Sequence, residues 1–150
     1  MKKLSLIILM LCAVLTCSAQ PPQAAQCTSS VKMTSATQGV LTITLTPFAG
    51  WHVYGSDLPK GGPKPLQFDA STSTGIVLDG DLTPSVKPEK HYDDAFSMDV
   101  TYWAKPVTFT QKFTVTDKSN AQVSGFLRYQ GCNNETCSPP KKFRFSHPVK

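Results

Sequence analysis

The chain has 150 residues, of which 40% are hydrophobic and 17% charged, and its formal net charge is +5. This length suits a single domain with its own core, and the modest positive charge favours solubility without indicating a partner. The lysines are scattered and form no aromatic-interleaved basic patch, which argues against nucleic-acid binding.

The N-terminal stretch has the pattern of an export signal. Two lysines precede an apolar run over residues 4–15, and Cys17-Ser18-Ala19 ends in small residues that suit a signal peptidase. The apolar run is too short for a membrane anchor. We therefore predict a signal peptide over 1–19 and a periplasmic protein with no membrane span. Lipid attachment at Cys17 is the less favoured alternative, because Thr16 stands where Gly, Ala or Ser is expected.

The mature sequence is β-like almost throughout. Residues 20–30 contain much Pro, Gln and Ala and predict a flexible leader, and residues 31–150 predict one domain. Short runs of alternating apolar and polar residues, at intervals of about 8–12 residues, predict an all-β fold, an immunoglobulin-like β-sandwich. Residues 87–96 are predicted to be irregular. The predicted strands cover 39–46, 51–54, 65–69, 75–78, 98–102, 107–116, 123–129 and 142–146.

Cys132 and Cys137 are separated by four polar, turn-forming residues. Because predicted strands at 123–129 and 142–146 flank them, we expect a β-hairpin with one cysteine at the end of each arm, close enough for a disulfide. A staple across so short a loop stabilises by only about 2 kcal/mol, whereas an exposed bridge is open to another protein's thiolate. The spacing alone leaves a redox role and a structural role both open.

The remaining candidate ligands do not form a pattern. Cys27 is the odd cysteine of the mature chain, so we expect a free thiol or a bond to another chain. His52, His91 and His147 show no metal-ligand spacing with one another or with the cysteines. We expect neither a metal site nor a cofactor.

Three short motifs occur in order along the domain. They are Gly50-Trp51-His52-Val53-Tyr54, His91-Tyr92-Asp93-Asp94-Ala95-Phe96, and Tyr129-Gln130-Gly131-Cys132 with Cys137-Ser138-Pro139-Pro140. In these motifs the chain resembles the N-terminal periplasmic domain of the thiol:disulfide interchange protein DsbD. The resemblance covers most of the sequence from about residue 31 onward.

The resemblance implies that Cys132 and Cys137 are the redox pair, with Cys137 as the cysteine joined to partners. It also implies a cap loop over the pair, for which Phe96 is the first candidate and Tyr92 the second. The other implied site residues are Asp93 and Asp94, which would modulate the thiols, and Tyr54 and His52, which would line the site.

Charged residues near the pair act in opposite directions. Cations close in sequence would favour a thiolate, whereas Asp93 and Asp94, if adjacent, would oppose it. The sequence does not decide between them. The cations are Arg128, Lys141, Lys142 and Arg144.

By resemblance, the domain is a thiol:disulfide oxidoreductase that carries electrons from a membrane donor to thioredoxin-like periplasmic proteins. Because the sequence ends at Lys150 without a membrane domain, we expect the donor to be a separate protein and this chain to act as a monomer. The alternative is a non-enzymatic immunoglobulin-like binding or accessory module stapled by a local disulfide. The reduction potential of the cysteine pair separates the two.

Overall fold

The alternation of apolar and polar residues produces β-strands across residues 21–150, the part of the chain that this computed structural model describes. The predicted signal peptide and Cys17 lie outside these residues. A 3-10 turn at Lys118–Asn120 is the one helical element within them, and no helix there is long or apolar enough to cross a membrane. The strands are β1 (Ala25–Met33), β2 (Gln38–Pro47), β3 (His52–Tyr54), β4 (Gln67–Asp69), β5 (Ile76–Pro84), β6 (Glu89–Asp93), β7 (Met98–Trp103), β8 (Val107–Val115), β9 (Gln122–Tyr129), β10 (Gly131–Cys132) and β11 (Lys141–Pro148).

The strands form three antiparallel sheets around one main core. The first sheet has the order β1-β2-β8-β5, the second β10-β3-β7-β6 and the third β11-β9-β4. Leu41 and Ile43 on β2 point to the buried face of the first sheet, as their alternation predicts. They share a core with Val53 of the second sheet and Leu127 of the third. The predicted all-β sandwich is therefore confirmed.

The edge strand β5 is interrupted by a bulge. Its register against β8 shifts between Asp79 and Thr83. Gln111, a buried polar residue of β8, fills the irregularity: its Nε2 donates to the carbonyls of Asp79 at 3.2 Å and Gly80 at 3.0 Å. The side chain thus supplies hydrogen bonds to backbone carbonyls at the bulge.

Two segments differ from the sequence-based prediction. β1 begins at Ala25, so the flexible leader predicted over residues 20–30 is wrong for most of its length. Ala25 is fully buried, and the Tyr129 hydroxyl donates to its carbonyl at 2.9 Å. A small residue such as Ala25 can be buried without producing the strong apolar alternation that predicts a strand. Residues 87–96, predicted to be irregular, contain β6, which pairs with β7 at the edge of the second sheet.

Candidate functional site

Cys132 and Cys137 form a disulfide at the β10 edge of the second sheet. Their Cα atoms are 3.9 Å apart, and the two residues form an antiparallel bridge across the loop 133–136. Asn133 shapes that loop, because its Oδ1 accepts hydrogen bonds from the backbone N–H groups of Glu135 at 2.9 Å and Thr136 at 2.7 Å. An asparagine that bonds the backbone ahead of it in this way favours a tight turn.

The predicted hairpin and disulfide are confirmed, but the partner of the first arm beyond Tyr129 was not predicted. β9 and β11 pair with each other, but Gly131 and Cys132 leave that sheet and pair with β3, where Cys132 stands opposite His52. Gly131 permits this approach, because a Cβ there would lie 2.3 Å from the His52 carbonyl oxygen. Ser138 closes the base of the loop by donating its N–H to the Gly131 carbonyl at 2.8 Å. The cysteine loop is therefore anchored on the second sheet.

The two cysteines differ in exposure. Cys132 is 4% exposed, whereas Cys137 is half-buried. Both line a cleft of about 460 Å³. An incoming nucleophile therefore has better access to Cys137. Some of the other residues that line the cleft were predicted as site residues and some were not. They are His52, Tyr54, Tyr92, Asp93, Asp94, Ala95, Tyr102 and residues 133–136.

Tyr54 connects the disulfide to Asp93. Its hydroxyl donates to Asp93 Oδ2 at 2.6 Å and lies 3.1 Å from Cys132 Sγ. Burial, and then the hydrogen bond to the carboxylate, raise the pKa of Tyr54 well above its ordinary value. The hydroxyl therefore keeps its proton, and the shorter distance directs that proton to Asp93.

The cap candidate Phe96 sits on a turn that Asp93 organises. Asp93 Oδ1 accepts the backbone N–H groups of Ala95 at 2.9 Å and Phe96 at 3.3 Å. The Phe96 ring meets the Tyr54 ring edge-on, with centroids 6.1 Å apart, and packs against the small cluster that contains Cys132. Tyr92, the second candidate, is 63% exposed. Of the two cap candidates, Phe96 is therefore the one that packs against this cluster.

An aromatic stack that the sequence did not predict supports the other wall of the cleft. His52 stacks on one side of Tyr102, with centroids 4.2 Å apart, and His91 also stacks on Tyr102 at 4.3 Å. The strand register places Tyr102 opposite Tyr54, a pairing between distant segments that alternation alone does not reveal. Burial lowers the pKa of His52, against a smaller opposite effect of Asp93. Within residues 21–150, no group of three or more His, Cys, Asp or Glu side chains is placed to hold a metal ion.

The charges at the cleft are acidic. Asp93 and Asp94, both predicted, and Glu135, which was not, line it, and no Lys or Arg of residues 21–150 does so. Lys142, one of the cations close in sequence, is directed elsewhere: its Nζ lies 4.3 Å from the centroid of the Phe126 ring. Cations would favour a thiolate and carboxylates would oppose it, and the carboxylates are the groups that lie next to the disulfide.

Cys27, the remaining cysteine of the described residues, is a free thiol on β1. Burial raises the pKa of this thiol to about 11, although hydrogen bonding with Tyr129 and the charge of Lys141 act to lower it. Because the thiolate is the reactive form, this cysteine is chemically quiet near neutral pH.

Comparison with known proteins gives a consistent result. The sequence matches the family described as "Thiol:disulfide interchange protein DsbD, N-terminal" over residues 18–148. The fold is similar to the N-terminal periplasmic domain of ScsB from Proteus mirabilis, with 16% identity and a TM-score of 0.61, over 85% of this chain and 47% of that chain. This chain thus spans about half the length of the ScsB chain.

A second solved structure is also similar. It is the reduced form of the DsbD N-terminal domain from Neisseria meningitidis, with 17% identity and a TM-score of 0.54, covering 87% of this chain and 90% of that one. Comparison with curated proteins gives no match. The structural similarities confirm the predicted immunoglobulin-like sandwich.

Proposed function

The chain belongs to the family of DsbD N-terminal domains, whose chemistry is thiol:disulfide interchange, and on this premise we propose that it relays reducing equivalents through Cys132 and Cys137. The electron donor is a membrane-embedded domain, and the acceptors are thioredoxin-like proteins of the periplasm. Residues 1–19 serve as the export signal, and the folded domain starts at about residue 24.

The loading step begins at the more accessible sulfur. A donor thiolate attacks Cys137 Sγ, the Cys132–Cys137 bond breaks, and Cys132 leaves with the electron pair and takes up a proton. A mixed disulfide now joins the donor to Cys137. The donor's second thiolate attacks its own sulfur in that bond, and Cys137 leaves as a thiolate. The domain has gained two electrons, and the donor has become a disulfide.

Discharge runs the same steps in reverse. The Cys137 thiolate attacks an acceptor disulfide, and Cys132 then attacks Cys137 to release the reduced acceptor. Cys137 is half-buried and Cys132 is buried, which supports Cys137 as the attacking cysteine and Cys132 as the resolving one. Phe96, which packs with Cys132 and Tyr54, would shield the reduced pair from small oxidants until a partner displaces it.

The single observation that carries the proposal is a disulfide with one accessible sulfur in the wall of an open cleft. The test is trapping in the periplasm of a bacterial host. A Cys132→Ala variant should accumulate mixed disulfides through Cys137, since the resolving thiol is gone. A Cys137→Ala variant should accumulate far fewer, because the remaining Cys132 is buried. All variants carry Cys27→Ala, so that no third thiol contributes.

The trapped proteins are identified by mass spectrometry, and thioredoxin-like proteins are expected among them. A double Cys132→Ala, Cys137→Ala variant provides the background. The potential of the pair gives an independent measure: an exchanging disulfide has a reduction potential above about −300 mV, whereas a structural one lies below it. If the reduction potential lies below about −300 mV and neither single variant traps a partner, the disulfide has only a structural role.

A further inference from the structure

The cleft contains one polar atom that lacks a partner. His52 Nε2 is buried and makes no hydrogen bond to any of the described residues. Buried polar atoms are usually paired, so an exception next to a reactive group calls for a chemical explanation. His52 stands directly opposite Cys132 in the β3–β10 register. Side chains at such positions share a face of the sheet, with Cβ atoms about 4.5–5.5 Å apart.

The other groups at the cleft are poorly suited to handle the proton of Cys132. The Tyr54 hydroxyl is nearest, but its proton is held by Asp93 at 2.6 Å. The carboxylates of Asp93, Asp94 and Glu135 disfavour a thiolate, and no Lys or Arg among residues 21–150 lines the cleft. An imidazole is the lining group that exchanges protons readily near neutral pH.

We propose that His52 accepts the thiol proton of Cys132 in the resolving step, a role that rests on the proposed function. The Sγ–H bond of Cys132 breaks, and its proton moves to His52 Nε2. Cys132 Sγ attacks the Cys137 sulfur of the mixed disulfide and forms the intramolecular bond. The bond to the partner breaks, and the partner sulfur leaves with the electron pair as a thiolate. His52 then returns its proton to that thiolate or to water.

The aromatic stack keeps the imidazole in place and neutral. Tyr102 holds the His52 ring at 4.2 Å, and burial lowers the pKa of His52, so that Nε2 is free to accept a proton at neutral pH. Asp93 opposes this shift and His91 reinforces it. The titratable groups around the ring are Tyr54 on its own strand, Tyr102 on β7, His91 and Asp93 on β6, Cys132 on β10 and Glu135 in the cysteine loop.

The test follows both sulfurs with Ellman's reagent, an aromatic disulfide, added to the reduced chain carrying Cys27→Ala. Attack by Cys137 releases the first thionitrobenzoate, and intramolecular attack by Cys132 releases the second. Stopped-flow absorbance separates the two phases. We expect His52→Asn and His52→Gln to slow the second phase about tenfold at neutral pH while leaving the first unchanged. His147→Asn is the matched control, since it removes an imidazole that lies outside the cleft, and both phases should remain as in the unmodified protein.

The pH profile distinguishes proton transfer from a structural effect. In the protein with His52 present, the second phase should slow as the pH falls through the range below about 6.5, where the imidazole becomes protonated. In the His52 variants that inflection should disappear. An unchanged second phase in both variants, or an equal slowing of both phases, overturns this inference and leaves the relay intact. Release of only one thionitrobenzoate by the parent protein would instead overturn the proposed function.

Discussion

Replacing Asp93 with asparagine removes the charge that is linked to the disulfide through Tyr54 but retains the acceptor that holds the cap turn. Oδ1 of the new side chain can still accept from the backbone of Ala95 and Phe96, as the carboxylate does. The change therefore keeps the cap turn while it removes the negative charge and replaces Oδ2, the acceptor of the Tyr54 hydroxyl, with an amide donor. We expect the Asp93→Asn protein to be reduced faster by dithiothreitol.

The size of this effect follows from the geometry around Tyr54. Its hydroxyl lies 2.6 Å from Asp93 Oδ2 and 3.1 Å from Cys132 Sγ, so the carboxylate is no more than about 6 Å from the sulfur. A full pair of charges at that distance repels by about 3 kcal/mol at an effective dielectric constant of about 20. If the leaving sulfur carries about half a charge in the transition state, the barrier falls by about 1.5 kcal/mol and the rate rises about tenfold.

The measurement is the second-order rate constant for reduction, obtained by quenching with acid and alkylating the thiols. Salt should narrow the difference between the two proteins, because counterions screen an open cleft. The matched control is Asp94→Asn, an exposed carboxylate on the same turn, for which we expect a smaller increase. The ratio of the Asp93→Asn rate constant to the parent rate constant should be the same when both proteins also carry Phe96→Ala. Reduction of Asp93→Asn at or below the parent rate would refute the electrostatic reasoning.

Three further outcomes are expected. Phe96→Ala should speed oxidation of the reduced pair by hydrogen peroxide, since the ring that packs with Cys132 is lost, whereas Tyr92→Ala should not; equal rates would remove Phe96 from the cap. Gly131→Ala should lower the free energy of unfolding in urea by about 1–3 kcal/mol, because the new Cβ meets backbone 2.3 Å away; an unchanged midpoint would contradict the close approach. The Cys27 thiol should react with iodoacetamide on the order of a hundredfold more slowly than glutathione at pH 8, and should accelerate as the pH rises toward about 11; fast alkylation would show that it is accessible and ionised.

Local pattern was sufficient for the fold class and the disulfide. Alternation along residues 39–46 and 107–116 marks strands that each bury one face, and a four-residue polar loop between two predicted strands places Cys132 opposite Cys137. The N-terminal strand β1 was missed because its inward side chains are mostly small or polar. Its hydrogen bonds to β2 and the burial of Ala25 stabilise it instead.

The contacts inside the cleft could not be predicted from the sequence, because they depend on pairings between distant segments. The contact of Tyr102 with His52 and His91 joins three strands, and the pairing of Cys132 with His52 requires the chain to change sheets at Gly131. No periodicity in the sequence encodes such a change. The resemblance to a family indicated the candidate residues. The hydrogen bonds that link Tyr54, Asp93 and the cap turn join distant segments and are visible only in the folded structure.

The bulge in β5 lies on a strand edge that could pair with another copy of the chain. This strand is an open border of the first sheet and displays Val77 and Leu78 to solvent, features that invite a strand from another copy to add on. The register shift interrupts the regular ladder along that border, and the buried Gln111 amide of β8 holds the irregular segment through the carbonyls of Asp79 and Gly80. An interrupted ladder is a poorer template for a flat strand from another copy than a regular edge would be.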